Sequence, residues 1–354
     1  MNNLVSPPQT PIRRVAIVDD SRTIRALLRA TLDADPRLMV VGEAGDPYEA
    51  RNMIKACNPD VITLDVEMPR MNGLVFLEHL MRLRPMPVVM VSNRTREHSE
   101  DAIRALSIGA VDCVDVARLQ ADETQKQRLA EALFHAAGAT VRAPATSRSA
   151  PSAQTAASTF AWNGRIVLIG SSTGGVDALE RVFAGFPPNC PPTIVAQHMP
   201  AAFLRSFVAR LDTQIAPDVA LAEDGAHIGQ GRILFAPGGD KHTVLAPGSA
   251  DRLAFAPSFG DDLHVPSIDR LFASAVPIAP HCIGVILTGM GRDGAQSLKA
   301  LRDAGAGAVV QSAESCVIDG MPRAARDCGA AEEIADLDAI GGVLLRRCSN
   351  REAR

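Results

Sequence analysis

Residues 166–175 read IVLIGSSTGG, a short apolar run that ends in a turn of glycine, serine and threonine. An unbroken run of large aliphatic residues is typical of a strand that is buried on both faces. The residues that follow, VDALERVF at 176–183, place their apolar side chains at helical spacing. A strand, a tight turn and a helix in this order predict an α/β domain with a mostly parallel sheet.

The turn at 170–174, GSSTG, fits a G-x-S-x-G pattern. Such a turn exposes a serine hydroxyl at the sheet edge and points backbone N–H groups towards it, so Ser172 is a candidate nucleophile. A phosphate-binding loop is the alternative, but no lysine follows as in a P-loop and the spacing is not G-x-G-x-x-G. The motif alone leaves a purely structural role open.

Two polar residues follow other strand-like runs in the same half. His198 comes after residues 193–197 and precedes Met199-Pro200, and Asp293 lies in the turn TGMGRDG after residues 282–287. Taken alone, His198 would fit a loop or cap histidine and Asp293 a helix N-cap. Together with Ser172 they offer a nucleophile, a base and an orienting carboxylate at one sheet edge. The chain order Ser, His, Asp differs from that of the α/β-hydrolases and indicates a different scaffold.

The pattern of the first half predicts a flavodoxin-like domain, which has a doubly wound sheet of five parallel strands. Its strand-like runs are residues 15–18, 38–43, 61–64, 88–92 and 111–114. With the strand order 2-1-3-4-5, Asp19 and Asp20 after the first strand lie beside Asp65 at the end of the third. Converging carboxylates repel each other unless a hard cation such as Mg²⁺ sits between them. Each aspartate alone would also fit an ordinary loop cap.

Length and composition bear on the number of domains and on the class of partner. The chain has 354 residues, too many for one core, and residues 138–159 are mostly Ala, Pro, Ser and Thr, which is typical of a linker. We therefore predict domains at 12–120 and 164–347, joined by a helix and linker at 121–163. The net charge of −4 and the absence of a basic stripe argue against nucleic acid as a partner.

Cysteine usage and hydropathy bear on the compartment. Seven scattered cysteines without a C-x-x-C pair argue against a disulfide framework and a zinc site. No apolar leader and no run of about 18 apolar residues is present, so we expect no membrane insertion. These features predict a cytoplasmic protein, which we expect to be a monomer with protein partners.

The first half resembles the receiver domains of two-component response regulators. The resemblance rests on VDDS at 18–21, DVEMP at 65–69, MNG at 71–73 and VS at 91–92. It implies that Asp65 accepts a phosphoryl group, that Asp19, Asp20 and Asp65 hold Mg²⁺, and that the Ser92 hydroxyl senses the phosphoryl group.

This sequence departs from the receiver pattern at the end of the fifth strand. Val116 stands where the family has a lysine, Ala117 where it has a proline, and Cys113 where it has an aromatic residue. Because valine cannot pair with phosphoryl oxygens, the departure predicts weak coupling between phosphorylation and output.

The second half resembles the chemotaxis protein-glutamate methylesterases, the CheB family. The resemblance rests on IGSSTGG at 169–175, QHMP at 197–200, APGGDKH at 236–242, PSID at 266–269, residues 284–294, SCV at 315–317 and GMP at 320–322. It implies that Ser172 is the nucleophile, His198 the general base and acid, and Asp293 the residue that orients His198. Further implied roles are oxyanion N–H donors at Thr173 and Met290 and substrate contacts at His264 and His242.

The resemblance also implies a reaction and partners. Methyl-accepting chemotaxis receptors would be the substrate, with hydrolysis of glutamate methyl esters to methanol and deamidation of glutamines, and a chemotaxis histidine kinase would donate phosphate. Catalysis would need no cofactor, and Mg²⁺ would bind only at the receiver. Two alternatives stay open: a receiver-controlled serine esterase or amidase for another substrate, and a non-catalytic docking module.

Overall fold

The computed structural model describes residues 11–92, 96–116, 119, 123–139, 141, 160–259 and 262–350. The chain forms two compact units that divide between Ala143 and Pro144. Across the described residues, no helix combines the length and the apolar character that a membrane crossing requires.

The first unit contains one sheet of five strands. They are β1 (Arg13–Val18), β2 (Leu38–Ala44), β3 (Val61–Asp65), β4 (Val88–Ser92) and β5 (Asp112–Asp115). All pair in parallel in the order β2-β1-β3-β4-β5. The predicted doubly wound receiver fold is confirmed.

Among the described residues of this unit, five helices flank the strands. They are α1 (Arg22–Asp33), α2 (Pro47–Cys57), α3 (Gly73–Leu83), α4 (Arg96–Ile108) and α5 (Glu123–Ala136). The start of α2 shows how the sequence sets a boundary: the Asp46 carboxylate accepts the N–H groups of Tyr48 and Glu49, and Pro47 occupies the first turn.

Helix α5 belongs to the first unit. Arg37 donates to Glu131 of α5 at 2.8 Å, and its guanidinium lies 4.7 Å from the centre of the Phe134 ring. Helix α5 lies in the stretch 121–163 that the sequence assigns to a helix and linker, and it packs on the sheet of the first unit.

The second unit contains a sheet of seven strands and a separate hairpin. The sheet strands are β6 (Ile166–Ser171), β7 (Thr193–Gln197), β8 (Asp218–Leu221), β9 (Arg232–Phe235), β12 (Cys282–Ile286), β13 (Gly307–Gln311) and β14 (Glu333–Ala335), and the hairpin strands are β10 (Lys241–Leu245) and β11 (Leu253–Pro257). The sheet order is β14-β13-β12-β6-β7-β9-β8, and every pairing in it is parallel. β10 and β11 pair antiparallel.

Six α-helices lie in the part of this unit that the structure describes. They are α6 (Gly175–Phe183), α7 (Ala201–Gln214), α8 (Ile268–Ala275), α9 (Ala295–Asp303), α10 (Met321–Asp327) and α11 (Leu337–Arg347), with 3-10 turns at Val276–His281 and Ala313–Ser315. Strand β6 lies between β7 and β12. The next strand in the chain, β7, is added on one side of β6, and the later strand β12 is added on the other side. The carboxyl end of β6 is therefore the topological switch point, where α/β sheets bind ligands.

Candidate active site

Ser172 lies directly after β6, in the turn that leads into α6. Its N–H donates to the carbonyl of Thr288 at 3.1 Å, and its carbonyl accepts the N–H of Gly175 at 2.8 Å. The turn requires glycine at 174, where φ is +79° and a Cβ atom would lie 2.6 Å from Cβ of Val317. Backbone contacts thus fix the position of the serine.

The loop after β12 passes very close to Ser172. A Cβ atom on Gly289 would lie 2.6 Å from Cβ of Ser172. The carbonyl of Gly289 accepts the N–H groups of Gly320 and Met321 at 3.1 and 2.8 Å. Because the C=O and N–H of a trans peptide point in opposite directions, the N–H of Met290 points away from the start of α10.

His198 directly follows β7 and contacts Asp293. Its backbone N–H donates to the carbonyl of Ser171 at 3.0 Å, which ties it to the end of β6. Its ring Nε2 lies 2.9 Å from Oδ2 of Asp293, and both side chains are largely buried. The other ring nitrogen, Nδ1, is buried and has no hydrogen-bond partner within the described part of the chain.

Asp293 is held by the N-terminus of α8. The N–H groups of Ile268 and Asp269 donate to its two oxygens at 2.8 and 2.9 Å, and the Ser267 hydroxyl lies 3.3 Å away. Burial alone would raise the pKa of Asp293, but His198 and these N–H groups outweigh it and hold the pKa below its usual range. Helix α9 begins after Gly294 without a side-chain cap, so the reading of Asp293 as a simple N-cap is wrong.

Gln197 is a residue of this site that the sequence reasoning missed. Its side chain is buried, and its Nε2 donates to the carbonyls of Ser172 and His198 at 2.9 and 3.1 Å. Its Oε1 accepts the hydroxyl of Ser171. Gln197 thus links the turn of the serine to that of the histidine. The sequence does contain a sign of this role: an amide side chain ends a strand that is otherwise buried, and a buried polar group must be hydrogen-bonded.

The two further histidines differ in position. The His264 ring stacks on the His198 ring, with centroids 4.1 Å apart and planes inclined by 14°. His242 is fully buried: its Nε2 bonds to Asp262 at 2.9 Å and its Nδ1 accepts the N–H of Ser267 at 3.1 Å. Because both of its nitrogens are engaged inside the protein, His242 has a structural position instead of the predicted substrate contact.

The acidic residues of the first unit converge as predicted. One oxygen each of Asp19, Asp20 and Asp65 lie within 4.8 Å of one another. Burial and the charge of Asp20 raise the pKa of Asp19 to about 6, and burial and the charge of Asp19 raise that of Asp65 to about 7. Such a cluster of negative charge on hard oxygen ligands fits a divalent cation such as Mg²⁺.

The neighbouring strand ends carry the departures from the receiver pattern. Ser92 pairs in register with Asp115, and Cys113 and Val116 are both buried. The position expected to hold a lysine is therefore an apolar side chain. The side chain of Ser92 and all of Ala117 lie outside the described residues.

Comparisons with known proteins agree with this division into two sites. Residues 167–344 match the family described as CheB methylesterase, and residues 15–116 match the response regulator receiver domain.

Two relatives match over nearly the whole chain. A protein of Caulobacter vibrioides named protein-glutamate methylesterase/protein-glutamine glutaminase 1 is 50% identical over 96% of this chain and 98% of its own length. A protein of Agrobacterium fabrum, named protein-glutamate methylesterase/protein-glutamine glutaminase, is 46% identical over the same shares.

A solved structure, the Thermotoga maritima CheB methylesterase catalytic domain, is similar to the second unit. It is 33% identical with a TM-score of 0.50, and the match covers 52% of this chain and 98% of that one. The chain therefore belongs to the CheB methylesterase family and carries a response regulator receiver domain ahead of its catalytic domain.

Proposed function

We propose that this enzyme hydrolyses glutamate 5-O-methyl esters on chemoreceptors, with release of methanol, and deamidates receptor glutamines, in the cytoplasm and as part of chemotactic adaptation. The names of the nearly full-length relatives support both activities. The observation that carries the mechanism is the 2.9 Å contact between His198 and Asp293, beside a serine on the neighbouring strand end.

The proposed reaction starts at Ser172. Its Oγ attacks the ester or amide carbonyl while His198 takes the proton. As the intermediate collapses, His198 donates that proton to the departing oxygen or nitrogen, which leaves as methanol or ammonia. Water then cleaves the acyl-enzyme by the same route. Because Nε2 of His198 is bonded to Asp293, Nδ1 is the nitrogen that accepts the serine proton. This is the reverse of the nitrogen assignment in chymotrypsin-type triads.

Two backbone N–H groups would stabilise the oxyanion. Thr173 follows the nucleophile in the glycine-rich turn, and the N–H of Met290 points away from α10 on the loop that contacts Ser172. A donor of this kind contributes about 3 kcal/mol to the transition state. His264, whose ring stacks on that of His198, would contact the substrate.

The receiver would regulate this reaction through Asp65. Asp19, Asp20 and Asp65 would hold Mg²⁺, which when bound neutralises charge on an incoming phosphoryl group. Asp65 would form the acyl phosphate, with a chemotaxis histidine kinase as donor. The buried Val116 supports the expectation that phosphorylation of Asp65 changes the activity of the catalytic domain only weakly.

One assay separates this proposal from its two alternatives. Methanol release is measured from membranes that carry methylated chemoreceptors, and hydrolysis of p-nitrophenyl acetate is measured in parallel. We expect both. Hydrolysis of the small ester without methanol release would favour an esterase for another substrate, and neither activity would favour a docking module.

A further inference from the structure

Asp262 lies in a loop of the second unit, and its carboxylate accepts hydrogen bonds from three other residues. Its carboxylate accepts from Nε2 of His242 at 2.9 Å, from the N–H of Phe259 at 2.8 Å and from Arg270 at 3.0 Å, and only 17% of the side chain is exposed. Burying a carboxylate is costly unless it is paired and hydrogen-bonded, and here it is both. The mechanism proposed above gives Asp262 no part.

Its partner His242 fixes both ends of residues 262–267, which we call the 262–267 segment. Since Nδ1 of His242 accepts the N–H of Ser267, the ring hydrogen resides on Nε2 and is donated to Asp262. One fully buried imidazole on β10 therefore bonds to the first and the last residue of the segment.

The segment between these two bonds contacts the histidine and aspartate of the active site. His264 stacks on His198 at 4.1 Å. Ser267 is the N-cap of α8, whose first N–H groups, at Ile268 and Asp269, hold the Asp293 carboxylate. The position of the segment thus determines what contacts the His198 ring and the Asp293 carboxylate.

We propose that Asp262 is a positioning residue for the reaction: by anchoring the 262–267 segment to His242 and Arg270, it keeps His264 stacked on His198 and the start of α8 on Asp293. This inference rests on the proposed function. Displacement of a catalytic group by about 1 Å can cost on the order of a hundredfold in rate. Asp262 itself does not touch the reacting atoms.

Kinetics of the full-length protein test this role. We expect Asp262→Asn to lower kcat by about ten- to a hundredfold, a larger factor than any rise in KM, because the histidine base and its carboxylate move from their catalytic positions. The matched control is Asp251→Asn, which alters another His-Asp pair of the second unit, exposed and 3.6 Å from His227. It should leave kcat unchanged. A loss confined to KM would overturn the proposal.

A double substitution tests whether Asp262 acts through His264. His264→Ala removes a partly exposed ring and should lower kcat without unfolding the protein. If the two residues act as one unit, the double variant should be about as slow as the slower single variant. Independent, multiplicative losses would show that Asp262 does not act through His264 and would overturn that part of the proposal.

A measurement without substrate separates failure of this inference from failure of the proposed function. The downfield NMR signal of the His198 Nε2 proton, identified by its loss in Asp293→Asn, should shift or broaden in Asp262→Asn and stay in Asp251→Asn. A moved signal in a protein without methanol release would refute the function and keep the positioning role. Methanol release with an unmoved signal in Asp262→Asn would refute the positioning role.

Discussion

Asp293 has four donors around its two carboxylate oxygens: Nε2 of His198, two backbone N–H groups of α8 and the Ser267 hydroxyl. Charge-assisted hydrogen bonds of this kind are stronger than neutral ones and satisfy a buried charge. The carboxylate therefore stays ionised in the interior, where it fixes the tautomer of His198. In the proposed mechanism, that tautomer decides which nitrogen of His198 takes the serine proton.

Asp293→Asn should lower kcat by roughly 10⁴-fold and leave some activity, because the amide cannot impose the required tautomer on His198. The control is Asp336→Asn at the N-cap of α11, where the side chain accepts the N–H of Asp338. That change should cost about 1 kcal/mol of stability at most and leave kcat intact. An Asp293→Asn enzyme within tenfold of wild type would contradict the role of Asp293.

The receiver carboxylates predict a dependence of Mg²⁺ stabilisation on pH. The pKa of Asp65 is raised to about 7 and that of Asp19 to about 6, so their ionisation destabilises the fold as pH rises from the unfolded value near 4 towards 7. Mg²⁺ should offset this loss. It should raise the melting temperature of the receiver more at pH 8 than at pH 5.5, as measured by calorimetry.

Two variants control this measurement. Asp65→Asn should remove most of the difference between the two pH values, whereas Asp33→Asn, at the opposite end of α1, should preserve it. An equal effect of Mg²⁺ at both pH values in the wild-type protein would contradict a cation site at the three aspartates.

At the scale of elements, the turn from β6 into α6 predicts a specific effect of Gly174→Ala. Both Gly174 and Gly329 have a positive φ, of +79° and +72°, so alanine costs about 1–2 kcal/mol at either. Only at 174 would the new Cβ collide with Val317, whereas at 329 nothing lies within 4 Å. Gly174→Ala should therefore lose ester hydrolysis and Gly329→Ala should keep it. Equal activity of the two variants would show that the turn geometry does not matter.

The elements also show what the sequence could predict. Strands β6, β7 and β12 are fully buried and mostly apolar. Their pattern predicts the strand ends that carry Ser172 and His198 and the loop that carries Asp293. The sequence pattern does not predict the short strands β8 and β14. Three or four partly exposed residues are too few to show a clear alternation of apolar and polar side chains.

Contacts between distant elements could not be predicted in the same way. His242 lies on β10, which the sequence analysis did not recognise as a strand, so its burial was not foreseen. The bonds from the start of α8 to Asp293 join residues about 25 positions apart, and no local pattern encodes them. The same holds for Asp262, two of whose partners, His242 and Arg270, lie on a hairpin strand and a helix.

At the scale of the whole molecule, the receiver should inhibit the catalytic domain. We expect phosphorylation to relieve this inhibition, as in a two-state equilibrium biased by one added charge. Because Val116 cannot hold the phosphoryl oxygens, a small phosphodonor with Mg²⁺ should activate the full chain weakly. Deletion of residues 1 to about 140 should activate it strongly.

One esterase assay on three samples checks this: the full chain, the full chain with phosphodonor, and the shortened chain. Full activation by phosphodonor would show that the departure at Val116 is harmless. An unchanged rate after deletion would show that the receiver does not inhibit.

The most direct test of the account is to trap the covalent intermediate. The enzyme is mixed with membranes that carry methylated chemoreceptors, quenched with acid within one turnover, and digested for mass mapping while methanol is measured. We predict a glutamyl ester of a receptor peptide on Ser172, absent in Ser172→Ala, which should also release no methanol, and present in the control Ser249→Ala. Methanol release by Ser172→Ala, or an adduct on another residue, would contradict the assignment of Ser172 as the nucleophile.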